Sequence, residues 1–160
     1  MTRRVATVFG GSGFIGRYVV QRLAARGYTI RVVARHTERV KTLFTQGAVG
    51  QVVGLYGSFS NPSTILRATE GAELIVNLVG ILAEQKAGDF QRIQAEGPGL
   101  IARGAAEAGA SRLVQISAIG ADSSSPSQYG RTKAAGEAAA RAAFPGTVVM
   151  RPSLVFGEED

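Results

Sequence analysis

The sequence predicts an α/β fold with a six-stranded parallel sheet, doubly wound so that helices cover both faces in three layers. Three observations predict it. Six short β-branched runs recur along the chain, segments of helical period separate them, and 160 residues suffice for one domain and no second. Strands buried on both faces read as continuous apolar runs, and strict strand–helix alternation requires right-handed crossovers between parallel strands.

The elements follow in order. "VATVF" (5–9) is the first strand. Ile15, Val19, Val20 and Leu23 then carry helical spacing. "IRVVA" (30–34) and "VVGL" (52–55) are the second and third strands. Ser60, Asn61 and Pro62 read as a helix start, with an N-cap side chain ahead of a first-turn proline. "ELIVNLV" (73–79) is the fourth strand, and Phe90, Ile93, Leu100, Ile101, Ala105 and Ala108 trace the helix after it. Pro98, between Gly97 and Gly99, removes a donor and is expected to kink that helix or move its start downstream. "RLVQIS" (112–117) is the fifth strand, "SSSPS" (123–127) a polar loop, and "TVVMR" (147–151) the sixth strand.

Composition narrows the function. With 45% apolar and 19% charged residues the chain is an ordinary globular domain. It has no Cys and one His, which excludes disulfides and thiolate metal sites and leaves His36 to face solvent or a phosphate. The apolar run at the N-terminus is too short for a secretory leader, and no stretch approaches the ~20 apolar residues that span a bilayer. A cytoplasmic location is expected, with membrane contact, if made, peripheral at the inner face. A pI near 10.3 has no nucleic-acid reader motif beside it. The basic residues are uneven: nine of the eighteen Lys and Arg fall in residues 1–41 against the single acid Glu38, which points to an anionic ligand at that end.

"FGGSGFIG" places glycines at 10, 13 and 16 where the first strand turns into the first helix. Gly10 permits the tight turn, Gly13 lets backbone approach a pyrophosphate, and Gly16 lets the helix pack closely. The first-turn amides of Phe14, Ile15 and Gly16 face the anion. In this context the loop predicts a dinucleotide-binding Rossmann fold of strand order 3-2-1-4-5-6. The end of the second strand selects the cofactor, because an acid there bonds the ribose 2′-hydroxyl whereas Arg accommodates a 2′-phosphate. Arg35 stands there and Arg39 follows, so NADP(H) is preferred, with NAD(H) the alternative.

With the G-x-x-G-x-x-G loop, "NLVG" (77–80) and "YGRTK" (129–133), the whole chain resembles the extended and atypical short-chain dehydrogenase/reductase superfamily. "VFGGSGFIGRYVV", "VNLVGIL", "YGRTKAAGE" and the closing "RPSLVFGEED" resemble, within it, the nucleotide-binding accessory subunits of respiratory complex I and their epimerase/dehydratase-like and NADH dehydrogenase-like bacterial relatives. The resemblance implies NADPH as ligand and complex I subunits or another protein chain as partner. It also implies that the chain, a single nucleotide-binding domain over 1–160, lacks the C-terminal substrate-binding part. It carries cofactor roles onto Val79, Gly80, Ser117, Tyr129, Lys133 and Pro152. Where relatives have a "G-D-L" adenine turn this chain has Gly57, Ser58 and Phe59, and Ser58 offers a hydroxyl in place of a carboxylate.

Tyr129 and Lys133 lie one helical turn apart, where an ammonium lowers a phenol's pKa and makes it an acid–base. The resemblance then requires a hydroxyl two residues beyond Ser117, and this chain has Ile119. Loss of one such donor typically costs ~3 kcal/mol. Ser117 itself and Ser123 to Ser125 of the loop are the candidate substitutes, and none of them stands where the resemblance puts a catalytic hydroxyl. Two readings therefore stand: an NADP(H)-holding protein with little or no turnover, and an NADPH-dependent reductase or epimerase using Tyr129 and Lys133.

Overall fold

The computed structural model describes residues 4–158. Arg3, in the basic N-terminus, and Glu159 and Asp160, which end the closing motif, lie outside the described residues. The elements are β1 (Val5–Phe9), α1 (Phe14–Ala25), β2 (Thr29–Ala34), a 3-10 segment (Thr37–Gln46), β3 (Val52–Tyr56), α2 (Pro62–Thr69), β4 (Leu74–Asn77), a π-helical stretch (Phe90–Glu96) running into α3 (Gly97–Glu107), β5 (Arg112–Ile116), α4 (Gln128–Ala143) and β6 (Val148–Met150). The strands form one parallel sheet in the order β3-β2-β1-β4-β5-β6, as the sequence predicts.

Alternate residues of β1 feed opposite cores. Ala6 and Val8 join Val20, Ile30, Val32, Val40 and Leu43 under α1 and the 3-10 segment, while Phe9 joins Ile65, Ile75, Ile101 and Leu113 under α2, α3 and α4. Ile30, Ile75, Ile101 and Leu113 are fully buried, each worth roughly 1.5–3 kcal/mol of transfer free energy. β6 is short and forms an edge of the sheet, with Val148 and Met150 exposed.

Local structure departs from expectation at Asn61 and at the end of β4, and adds detail at residues 37–46 and at Pro98. Residues 37–46 wind as a 3-10 segment; the hydroxyls of Thr42 and Thr45 bond the carbonyls of Arg39 and Thr42, matching the tighter i to i−3 spacing. Asn61 occupies the N-cap of α2, yet its Oδ1 accepts from the Ser63 hydroxyl at 2.8 Å and caps no backbone amide. β4 ends at Asn77 and not at Val79, because the Asn77 side chain takes over the pairing: its Oδ1 accepts from Val79 N and its Nδ2 donates to Gln115 Oε1. Pro98 falls in the first turn of α3, so the second of its two expected effects, a later helix start, is the one observed. The widened π turn ahead of Gly97 accommodates a ring that would collide with the Gln94 carbonyl in an α-helix, and the α-helix begins downstream at Gly97.

That junction also sets a close helix contact. A Cβ on Gly136 of α4 would stand 2.1 Å from the Gln94 carbonyl oxygen, and one on Gly99 3.1 Å from Ala139 Cβ. Only small residues allow α4 to lie this near.

Candidate functional site

The site is built on the C-terminal ends of the strands. Phe9 is in register with both Val33 of β2 and Asn77 of β4, so the chain leaves the sheet at Gly10, Arg35 and Leu78 side by side. Gly10 N donates to Val33 O, Leu78 N to Phe9 O and Gly57 N to Ala34 O, which ties the four strand ends together. Gly10 has φ +77°, and a Cβ there would meet the Leu78–Val79 backbone at 3.1–3.3 Å. The turn therefore requires glycine on two counts.

Gly13 is the N-cap of α1, and Arg17 N makes the first i to i−4 bond to its carbonyl. The amides of Phe14, Ile15 and Gly16 precede that bond and so have no partner within the helix. A Cβ on Gly16 would come within 2.5 Å of Gly10 O and of Gly11 C and O, so Gly16 seats the helix on the loop itself, where the sequence suggested the strand. Glycine cradle and free helix N-terminus together fit a diphosphate.

Beside the loop lies a cleft of about 210 Å³ between the ends of β1, β2, β3 and β4. Of the sequence-predicted residues, Gly10, Arg35, Arg39, Ser58, Phe59, Val79 and Gly80 line it. His36, which the sequence left to face solvent or a phosphate, lines it as well, and so do Arg92, Ser12, Ser60, Ile65, Ile81 and Ile93, which were not assigned to the cofactor from sequence. Arg92 was legible in one respect only: Asp89 precedes it by three residues, and in the structure their side chains form an ion pair. The wall thus carries three guanidiniums and an imidazole and, among the described residues, no carboxylate. Ser58 Oγ accepts from Ser60 N at 3.2 Å, which leaves its proton to donate, and the Phe59 ring packs where a Cβ on Gly97 would be 3.0 Å away.

Tyr129 and Lys133 share one face of α4. Lys133 is 7% exposed, and its Nζ lies 3.0 Å from the position a Cβ on Gly80 would take, at the cleft's edge. The ammonium stands 5.6 Å from the centroid of the Tyr129 ring, over its face. Tyr129 is half-buried, edge-on to Phe90 at 6.2 Å, and burial pushes its phenol above the ordinary pKa. This corrects the expectation that the neighbouring ammonium lowers it. Burial likewise pushes Lys133 down, opposed by the charge of Glu137.

Ile119, at the position where a hydroxyl was sought, is 68% exposed and donates its N–H to Pro152 O. Ser117 is 4% exposed, and its Oγ has no hydrogen bond of ordinary geometry. Ser117 and Pro152 do not line the cleft wall. Gln94, which sequence reading passed over, is buried between the two halves of the site: its Oε1 accepts from Ile81 N and its Nε2 donates to Thr132 Oγ1. Among the described residues no cluster suits a metal ion, and no helix is long and apolar enough to cross a membrane.

Known proteins resemble this chain in sequence and in fold. Residues 10–144 match the NAD(P)H-binding family. The chain is 35% identical over 98% of its length to the mouse mitochondrial NADH dehydrogenase [ubiquinone] 1 alpha subcomplex subunit 9, of which it covers 42%. It is 33% identical over 99% of its length to the ceramide reductase of Caulobacter vibrioides, of which it covers 48%. The chain thus spans less than half the length of these curated relatives. Among solved structures, the Citrobacter triphenylmethane reductase superposes with a TM-score of 0.75 at 20% identity, over 94% of this chain and 49% of that one, and attests the fold. The chain belongs to the NAD(P)H-binding family, and its sheet order is that of a Rossmann domain.

Proposed function

We propose that this chain holds NADP(H) as a module of the complex I accessory-subunit type, with slow or absent turnover. The observation that carries the reading is the cleft wall, where Arg35, His36, Arg39 and Arg92 stand with no carboxylate among the described lining residues. An acid at the end of β2 would repel a 2′-phosphate, whereas a guanidinium meets its oxygens two at a time. In this reading the Gly10–Gly16 loop and the α1 amides bind the diphosphate, Arg35 and Arg39 the 2′-phosphate, and Ser58 and Phe59 the adenine. Val79 and Gly80 form the floor, and Lys133 holds the ribose beyond them.

NADPH, when bound, supplies a hydride. This chain supports that chemistry poorly: the Ile119 side chain can neither donate nor accept, and burial pushes the Tyr129 phenol's pKa up. The relatives named for complex I support a respiratory-chain partner, with a peripheral location at the membrane's inner face.

A second reading, an NADPH-dependent reductase or epimerase, is favoured by the Tyr129–Lys133 face of α4 and by the relative named ceramide reductase. Calorimetric titration with NADPH and NADH, repeated on Arg35→Ala, tests the first reading. NADPH is expected to bind more tightly, and the substitution to cost roughly 10- to 100-fold in NADPH affinity and little in NADH affinity. Equal affinities, unchanged by the substitution, would refute the cofactor assignment.

A further inference from the structure

Glu137 stands one turn beyond Lys133 on α4 and is 3% exposed. Both its oxygens are taken by Arg151, whose Nε donates to Oε1 at 2.8 Å and Nη2 to Oε2 at 2.7 Å. Arg151 directly follows β6, and the next residue, Pro152, accepts the Ile119 N–H at 2.8 Å, while Met150 O accepts the Ser117 N–H. One carboxylate therefore joins α4 to the segment that in turn grips the end of β5.

We propose that Glu137 is a positioning residue for Lys133: its two-point bond with Arg151 fixes α4 against the segment after β6, and its negative charge keeps the buried Lys133 an ammonium at the cleft's edge. The proposal rests on the reading of the cleft as a nucleotide site.

A surface role would not need this arrangement. A carboxylate and a lysine both buried, i and i+4 on one helix, put an ion where burial opposes it unless a partner compensates. Among the described residues, the elements around Lys133 offer it no other buried acid. Its own helix contributes Tyr129 and Glu137, and the segment after β6 contributes Arg151, engaged with Glu137. The loop after β4 contributes Gly80, without charge, and the π-helical stretch the neutral Gln94, its Arg92 being paired with Asp89 and its Glu96 exposed. Arg141, 3.5 Å from Glu137, adds a second cation to the acid and not to the lysine. Burial pushes Lys133 down and Glu137 pushes it up. Burial raises Glu137, but Arg151, then Ser117 from an imperfect geometry, then the charges of Arg151 and Arg141 carry it below the ordinary carboxylate range. The two-point bond with Arg151 thus favours the ionised form of Glu137 beside Lys133.

The test uses the fact that the chain has three lysines, Lys41, Lys86 and Lys133, so side-chain NMR of lysine-labelled protein resolves Lys133. In Glu137→Gln, Lys133 is expected to lose its proton at lower pH than in the parent protein, and Glu137→Asp, which keeps the charge, to restore most of the difference. NADPH affinity in Glu137→Gln should fall several-fold more at about pH 9 than at about pH 6. An unchanged Lys133 titration, or an affinity loss equal at both pH values, would mean that Glu137 only braces the fold and would overturn the proposal. Should Glu137→Gln not fold, Lys133→Met provides the reciprocal measurement, since coupled charges shift each other: Glu137 must then titrate at higher pH, and no change overturns the proposal. If the parent protein binds no NADPH while the Lys133 titration still moves, the nucleotide reading fails and the coupling stands. If NADPH binds and the titration stays fixed, only the coupling fails.

Discussion

Replacing Gly136 with Ala sets two effects of opposite sign against each other at the α4 contact. In an isolated helix Ala is favoured over Gly by ~1 kcal/mol, so propensity alone predicts stabilisation. In this fold the new methyl would stand 2.1 Å from the Gln94 carbonyl oxygen and 3.0 Å from Pro98 Cγ. Non-bonded atoms settle no closer than roughly 3.3 Å, so α4 must retreat by about 1 Å. Neither neighbour can turn aside, one being backbone and the other a ring, which puts the cost near ~3 kcal/mol, the upper end for overpacking. The net loss is ~2 kcal/mol, or a fall in Tm of about 4–8 °C for a chain of this length. Thermal unfolding followed by circular dichroism reads it directly. Lys133 sits on the same helix, so NADPH affinity should fall too, although Gly136 is not among the residues lining the cleft. A Tm equal to or above that of the parent protein would refute the close-approach argument.

Further outcomes follow from the site and from the acids. Gly10→Ala forces a residue with a side chain to φ +77° against the Leu78 backbone, and is expected to lower both stability, by about 1–3 kcal/mol in urea titration, and NADPH affinity. Tyr129→Phe should leave nucleotide affinity nearly intact in calorimetry; a large loss of substrate-dependent NADPH oxidation would overturn the reading of low turnover. Ile119→Thr returns a hydroxyl to the sheet's edge, and if its absence limits the chemistry, NADPH oxidation with a carbonyl substrate should rise in a spectrophotometric assay. Glu137, Asp89 and Asp122 have pKa values below the ordinary range. Burial opposes the shift at Glu137 and Arg151 dominates among its causes; the Lys86 amide lowers Asp89, and the Ser124 hydroxyl lowers Asp122. Groups depressed in the folded state add stability above their unfolded pKa values and lose it as pH falls through the folded ones, so urea midpoints should hold near neutrality and drop in acid.

The sheet was legible because its signals are local and repeated: β-branched runs, a glycine loop after the first, and Arg35 at the end of the second. What escaped depends on contacts between distant segments. The β-like run of residues 73–79 continues past Asn77, but the strand ends there, with one last bond from Leu78 N to Phe9 O, as the Asn77 side chain bonds Val79 N and Gln115 on a strand 38 residues away. Pro98 signals a kink or a later start, and only the π turn before it shows how the later start is made. Arg92 reaches the cleft because that same turn sets its bearing, and no periodicity of 3.6 predicts this. The Tyr129–Lys133 spacing told of a shared face; that the ammonium lies over the ring and leaves the phenol to burial needed the packing of Phe90 and Gly80 around the pair.

The short final strand has a practical corollary. Among the described residues its outer side pairs with no strand, and the greasy side chains of Val148 and Met150 are exposed on it, a combination that recruits foreign β-chains and seeds clumping. Handled by itself at high concentration, this polypeptide should grow turbid first through that flank, and lysines grafted at positions 148 and 150 should clear the solution while sparing coenzyme capture.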